Sequence, residues 1–166
     1  MGRSLLSFDT DRIKSYVMAT DTLKEIRGSS SILDNLNREE MPKYVKQHGG
    51  TCVYSHGGSG LFVVPSERTE EIIEGVRQMY AEKTSGAASI TGVHVELPPD
   101  FNEQDDNIQT YWKLLGYRLK AAKARNQEYL TTVSHTLLHF GETDGNFYAT
   151  DMEDGELISR VSSFKF

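Results

Sequence analysis

The sequence is poor in cysteine, in net positive charge and in long apolar runs, and each shortage excludes a class of protein. Cys52 is the single cysteine among 166 residues, so intramolecular disulfides and cysteine-rich zinc centres are excluded. No apolar run approaches the roughly 20 residues that a membrane helix needs. The opening MGRSLLSFDTDR has no long apolar region of a secretory signal, and residue 6 is leucine where myristoylation wants Ser or Thr. A soluble, cytoplasmic protein without membrane attachment is expected. Acidic residues outnumber basic ones 24 to 18, for a net charge of -6, which argues against a general polyanion binder and leaves room for a local basic patch. Internal repeats and low-complexity tracts are missing, as are a P-loop, a dinucleotide fingerprint and a Ser-His-Asp motif.

What is present fits one domain with a small appendage: a chain of 18.7 kDa buries roughly 70% of its unfolded surface and needs no disulfide to fold. Leu5, Leu6 and Phe8 form a short apolar run that predicts a buried first strand. Ile13, Tyr16 and Val17 recur at helical spacing, Gly28 and Ser29 to Ser31 punctuate the segment, and Ile32, Leu33 and Leu36 predict a second helical piece. Pro42 suits the start of a last short turn. Thr51 to Tyr54 and Leu61 to Val64 are rich in β-branched and aromatic residues, and the glycine-rich stretch between them predicts a hairpin. Glu67, Glu70 and Glu71 suit the first turn of a helix whose stripe is Ile72, Ile73, Val76, Met79 and Tyr80, ending at Ser85-Gly86. Ser89 to Leu97 predicts a fourth strand, stopped by Pro98-Pro99. Ile108, Tyr111, Trp112, Leu115, Leu119 and Ala122 fall on one face of a long helix. The tail carries two turn signals, at 144–146 and 154–156, and predicts one or two small hairpins. The order β-α-β-β-α-β followed by a helix is the ferredoxin-like pattern: α+β, with an antiparallel sheet and helices on one face.

Three places can carry chemistry. Asp9 and Asp11, two residues apart at a strand end, face a common point where a hard divalent ion such as Mg²⁺ finds oxygen ligands. The plainer alternative makes Asp11 a helix N-cap and Asp9 a solvated strand end. The turn His56-Gly57-Gly58-Ser59-Gly60 lets backbone approach a ligand closely, or is simply a hairpin turn. Lys113, Arg118, Lys120, Lys123 and Arg125 reverse the local sign of charge, either to hold a triphosphate or nucleic acid, or as a solvated helix face. His135 and His139 have metal-pair spacing without an obvious third ligand. Cys52 reads as a small buried apolar residue.

The runs Phe8 to Lys14, Leu23 to Asp34 and Val53 to Pro65 resemble the palm domain of the large polymerase-like subunit of type III CRISPR effector complexes, of the nucleotidyl cyclase/polymerase palm superfamily. The 122–126 run is similar to the closing helix of diguanylate cyclases, where a lysine meets phosphate. The resemblance implies a palm over residues 1–130 that binds ATP with Mg or Mn, Asp9 and Asp11 holding the metal. It also implies a nucleotide site at Arg27, Ser29, Ser30, Gly57, Gly58, Ser59, Gly60, Lys120 and Lys123. Many family members join ATP into cyclic oligoadenylate messengers during antiviral defence.

Two departures from the family pattern stand out. The family hairpin reads Gly-Gly-Asp-Asp, and Ser59-Gly60 here removes both carboxylates, which weakens the metal that activates the attacking hydroxyl. Residues 131–166 resemble a zinc ribbon in which Gly141, Asp144, Ser159 and Ser162 replace the cysteines, so no zinc is expected there. The implied function is a nucleotide-binding or scaffolding palm module impaired in catalysis. The alternative is a metal-dependent nucleotidyltransferase, working as a homodimer or with a second palm-containing subunit. Phe147 and Tyr148 could serve such contacts. Other CRISPR or defence proteins are candidate partners, and nucleic acid only an indirect one.

Overall fold

The computed structural model describes residues 2–18, 22–102, 108–127, 149–153 and 156–159. Strand β1 (Arg3–Asp11) lies inside a four-stranded antiparallel sheet, between β3 (Ser59–Pro65) and β4 (Ser89–Leu97), and β2 (Thr51–His56) pairs outside β3. This is the ferredoxin-like order that the sequence predicts. Side chains alternate along β1, as the strand period of two requires. Leu6 and Phe8 enter one core, with Phe62, Ile72, Val76 and Tyr80, and Leu5 enters another, with Leu61, Val95, Leu97 and Leu115.

The larger core is covered by α1 (Ile13–Val17), α2 (Leu23–Asn35), α3 (Met41–Gln47) and α4 (Thr69–Lys83). The smaller one is covered by α5 (Ile108–Gln127). Helices therefore lie on both faces of the sheet, where one covered face was expected. The reason is in the strands: Leu5, Leu61, Val95 and Leu97 form a second apolar face that needs its own cover. Among the described residues the cover is partial. Of the predicted α5 stripe, Leu115 is buried, Tyr111, Leu119 and Ala122 are half-buried, and Ile108 and Trp112 are exposed.

Two local expectations are corrected. The helix runs unbroken through Gly28 and the three serines, and α2 passes through a π-helical turn (Leu36–Glu40) directly into α3. Ser29 and Ser30 return their hydroxyls to the carbonyls of Glu25 and Ile26, at 2.8 and 2.9 Å, so they continue the helix instead of ending it. Cys52 is exposed, not buried, because β2 is an edge strand and a bulge near Val53 turns its register.

The predicted hairpin is tighter than its glycine content suggested. His56 pairs with Ser59, leaving a two-residue turn at Gly57 and Gly58, both with positive φ (63° and 86°). That backbone matches the strand twist and is open to glycine at little cost. The end of α4 is as predicted, with Ser85 and Gly86 both at positive φ and the Gly86 N–H bonded to the Ala81 carbonyl. Near the C-terminus, β5 (Ala149–Glu153) and β6 (Glu156–Ser159) pair antiparallel. The other features expected of the tail, including His135, His139, Gly141, Asp144, Phe147, Tyr148 and Ser162, lie outside the described residues. No helix among the described residues is long and apolar enough to cross a membrane.

Candidate functional site: a carboxylate pair held by a lysine

The sheet register assembles the site. Along β1, Asp9 and Asp11 follow Leu5 and Ser7 on the α5 face. Antiparallel pairing sets Ser59 of β3 and Thr91 of β4 beside Asp9, and Ser89 beside Asp11. Directly opposed residues bring their side chains within reach of one another. Ser59 accordingly donates to Asp9 Oδ1 at 3.0 Å and Ser89 to Asp11 Oδ2 at 3.1 Å, while Thr91 reaches diagonally past Asp9 and donates to Asp11 Oδ2 at 2.8 Å. The plain alternative for Asp11 does not hold: it is the last residue of β1, and the N-cap of α1 is Arg12, in the left-handed region.

From α5, Lys123 closes the group. Its Nζ is ion-paired with Asp9 Oδ2 and stands 3.3 Å from Asp11 Oδ1. Burial works against the ammonium charge, but the hydrogen bond and attraction of Asp9, reinforced by Asp11, outweigh it and raise the Lys123 pKa above its ordinary value. All four carboxylate oxygens thus have a donor: a serine, a lysine shared between the two acids, and a serine with a threonine. Burial and the Asp9 charge both push the nearby Tyr54 hydroxyl up.

The hairpin tip is fixed from the other side of the sheet. Gly58 accepts from the Thr10 N–H at 2.8 Å. Asn37, in the π-helical turn, accepts from the Gly58 N–H and donates to the Ser59 carbonyl, each at 3.2 Å, and its own carbonyl accepts from the Ser55 hydroxyl. Gly60 is buried, and a Cβ there would come within 2.7 Å of Met41 and Phe62.

The residues expected to bind nucleotide divide between places. Gly57, Gly58 and Ser59 form the tip beside Asp9, and Lys123 reaches both acids. Lys120 is exposed on α5, one turn before Lys123. Arg27 is exposed on α2, and Ser29 is fully buried with its hydroxyl committed to the helix backbone. The basic run of α5 is not one patch, since Lys123 turns to the acids and Arg118 donates to the His94 carbonyl. Sequence reasoning missed Ser89, Thr91 and Asn37. The first two carry a signal, because alternation along β4 puts them on the face of the acids. Asn37 carries none, since its position depends on the π-helical turn.

One hollow, of about 140 Å³, adjoins Asp9 and is lined also by Tyr54, Ser59, Leu61, Trp112 and Leu115. Another, of about 260 Å³, is lined by Arg77, Thr91 and Arg125 among others and meets the acid group only through Thr91. A wider groove of about 720 Å³ lies away from the acids, along Arg38, Lys43, Lys46 and Cys52, and its mixed charge gives it no clear ligand. Among the described residues no group of three or more His, Cys, Asp or Glu could hold a metal. The donor set therefore fits a divalent cation only in part. Asp9 and Asp11 offer hard oxygens, and Ser59 contributes a neutral hydroxyl in place of a third carboxylate.

Residues 3–132 match the family described as Cas10/Cmr2, second palm domain. No curated protein matches the chain significantly. Among solved structures, the Csm1-Csm4 cassette in complex with cA4 superposes with a TM-score of 0.64 at 15% identity, covering 75% of this chain and 20% of that one. Csm1 in T. onnurineus gives the same TM-score of 0.64 at 15% identity, over 75% of this chain and 20% of that one. The cassette in complex with one ATP also gives 0.64 at 15% identity, over 82% of this chain and 21% of that one. The chain thus spans about a fifth of the length of these solved relatives, and the likeness is one of fold. With most of its length matched to that one palm, the chain belongs to the Cas10/Cmr2 second palm domain family.

Proposed function

We propose that this palm is a nucleotide-binding module of type III CRISPR antiviral defence, with ATP as its ligand, and that it is impaired in catalysis. The observation that carries the proposal is the Asp9–Asp11 pair on the sheet beside a hairpin tip that offers Ser59 and no carboxylate. In two-metal phosphoryl transfer the ions sit on both the attacking and the leaving oxygen. One carboxylate pair suits a single cation on a triphosphate, which favours binding over turnover. Arg77 and Arg125, flanking the cleft that shares Thr91 with the acid pair, add positive charge suited to phosphates. The solved relatives include complexes with one ATP and with cA4, which supports the choice of an adenine nucleotide. When bound, Mg or Mn would be held by Asp9 and Asp11 and would neutralise phosphate charge, while Lys123 is placed to reach a phosphate oxygen. The relatives' cassettes with Csm4 support a protein partner from the same system.

The second reading, a metal-dependent nucleotidyltransferase acting with another palm, is favoured by the retained acid pair. Calorimetric titration with ATP and Mg²⁺, run beside mass spectrometry of the reaction mixture, separates the two. Heat of binding without product supports the module. A linear or cyclic oligonucleotide, lost in Asp9→Ala, supports the enzyme. Absence of binding overturns both.

A further inference from the structure

The neighbourhood of Lys123 assigns it a task beyond touching phosphate. Its ammonium sits between the two carboxylates that a cation would use, and it is the cation of α5 that does so. Lys113 and Lys120 are exposed, Arg118 is spent on the His94 carbonyl, and Arg125 donates to the Ala121 carbonyl at 3.4 Å. Lysine is a compact point charge with three donors on a flexible stem. Two of those donors meet Asp9 and Asp11. The remaining carboxylate oxygens are taken by hydroxyls that belong to the sheet itself. A divalent ion reaching this pair therefore meets a fixed positive charge at close range, where like-charge repulsion is strong and weakly screened.

We infer that Lys123 is a built-in counter-ion that keeps free divalent cations off the Asp9–Asp11 pair, so that a cation is admitted only when a competing anion draws the lysine away. The inference rests on reading Asp9 and Asp11 as cation ligands. It adds an order of events: a phosphorylated ligand opens the position, and metal alone does not.

The test uses Mn²⁺ alone, without nucleotide, followed by the electron paramagnetic resonance signal of the free ion. The wild-type chain is expected to leave Mn²⁺ free in the range where Lys123→Met binds one ion, with affinity higher by at least about tenfold once the fixed charge is gone. Mn²⁺ should also raise the melting temperature of Lys123→Met and leave the wild type unmoved. Adding Asp9→Asn to Lys123→Met should abolish both effects, and Lys123→Arg, which keeps the charge, should behave as wild type. Should Lys123→Met not fold, Lys123→Gln, whose amide can still donate to Asp9, carries the same comparison. Equal Mn²⁺ affinity in wild type and the neutral variants, or a gain that survives Asp9→Asn, overturns the inference. Because no nucleotide is present, this failure leaves ATP binding untouched, and a chain that does not bind ATP can still pass this test.

Discussion

On the side covered by α1 to α4, β1 contributes Leu6 and Phe8 to a closed apolar core; on the side covered by α5, the same strand contributes Leu5, then Ser7, Asp9 and Asp11. Among the described residues, four helical segments cover the first face and one helix covers the second, with Trp112 about half exposed and Tyr117 mostly so. The two faces are read from alternate residues of one strand, so a single segment of sequence carries both stability and chemistry. The difference teaches where polar groups are tolerated. The α5 face accepts two carboxylates because neighbouring hydroxyls and one lysine satisfy all their oxygens, whereas on the other side α2 buries a single carboxylate, Glu25, and leaves its Oε2 without a partner among the described residues.

The sharpest way to break the comparison is to truncate one large side chain on each face. Phe8→Ala should cost about 3–5 kcal/mol in urea unfolding, since its ring is fully buried against Phe62, and Leu115→Ala about 2 kcal/mol, at the low end for a site with an open edge nearby. Equal losses would mean that the α5 face is as tightly built as the other. Next comes the hairpin tip. Gly58→Ala should destabilise by about 1–3 kcal/mol, because its φ of 86° suits glycine and the new methyl would lie 2.5 Å from Ile13. Gly57→Ala should cost less, since only its φ of 63° opposes it and the space is open. A reversed ranking in thermal melts would show that the tip is not seated against α1.

The smallest expected effect concerns acid. Burial of His94 lowers its pKa below the ordinary 6.5, with Arg118 adding to the shift and Glu70 and Glu96 opposing it. The unfolded chain then takes up a proton more readily than the folded one. Stability from this group is therefore full above about pH 6.5, falls as the pH drops from there toward the lowered folded value, and is flat below it. Melting temperatures over that window should slope downward with acid, and His94→Gln should flatten the slope. An unchanged slope would assign the acid sensitivity to another group.

Much of this architecture was legible before any coordinates. The apolar alternation of β1, the glycine punctuation of the hairpin and the stripe of α4 are local signals, and local signals survive folding. The serines after Gly28 misled because their hydroxyls can serve the helix backbone as well as interrupt it. Cys52 misled because its burial depends on which strand ends the sheet, a property of topology and not of composition. Asp9, Asp11 and Lys123 could be named as candidates from residue type and resemblance, but their meeting could not, since 112 residues separate Asp11 from Lys123 and only the crossing of α5 over β1 joins them. Ser89 and Thr91 were within reach of a careful register argument, and Asn37 was not.

The widened helical turn between α2 and α3 has a consequence for how this chain can vary. Through Asn37 it grips Ser55, Gly58 and Ser59 around the glycine tip, so the position of Asn37 on its helical turn, and not the length of chain in between, sets the hold. A deletion or insertion of one residue in α2, just before Asn37, would rotate Asn37 off the tip by about 100°, given 3.6 residues per turn of α-helix. Length changes should be absorbed elsewhere along this stretch of chain, as at the exposed start of β2, and not where the helix holds the tip.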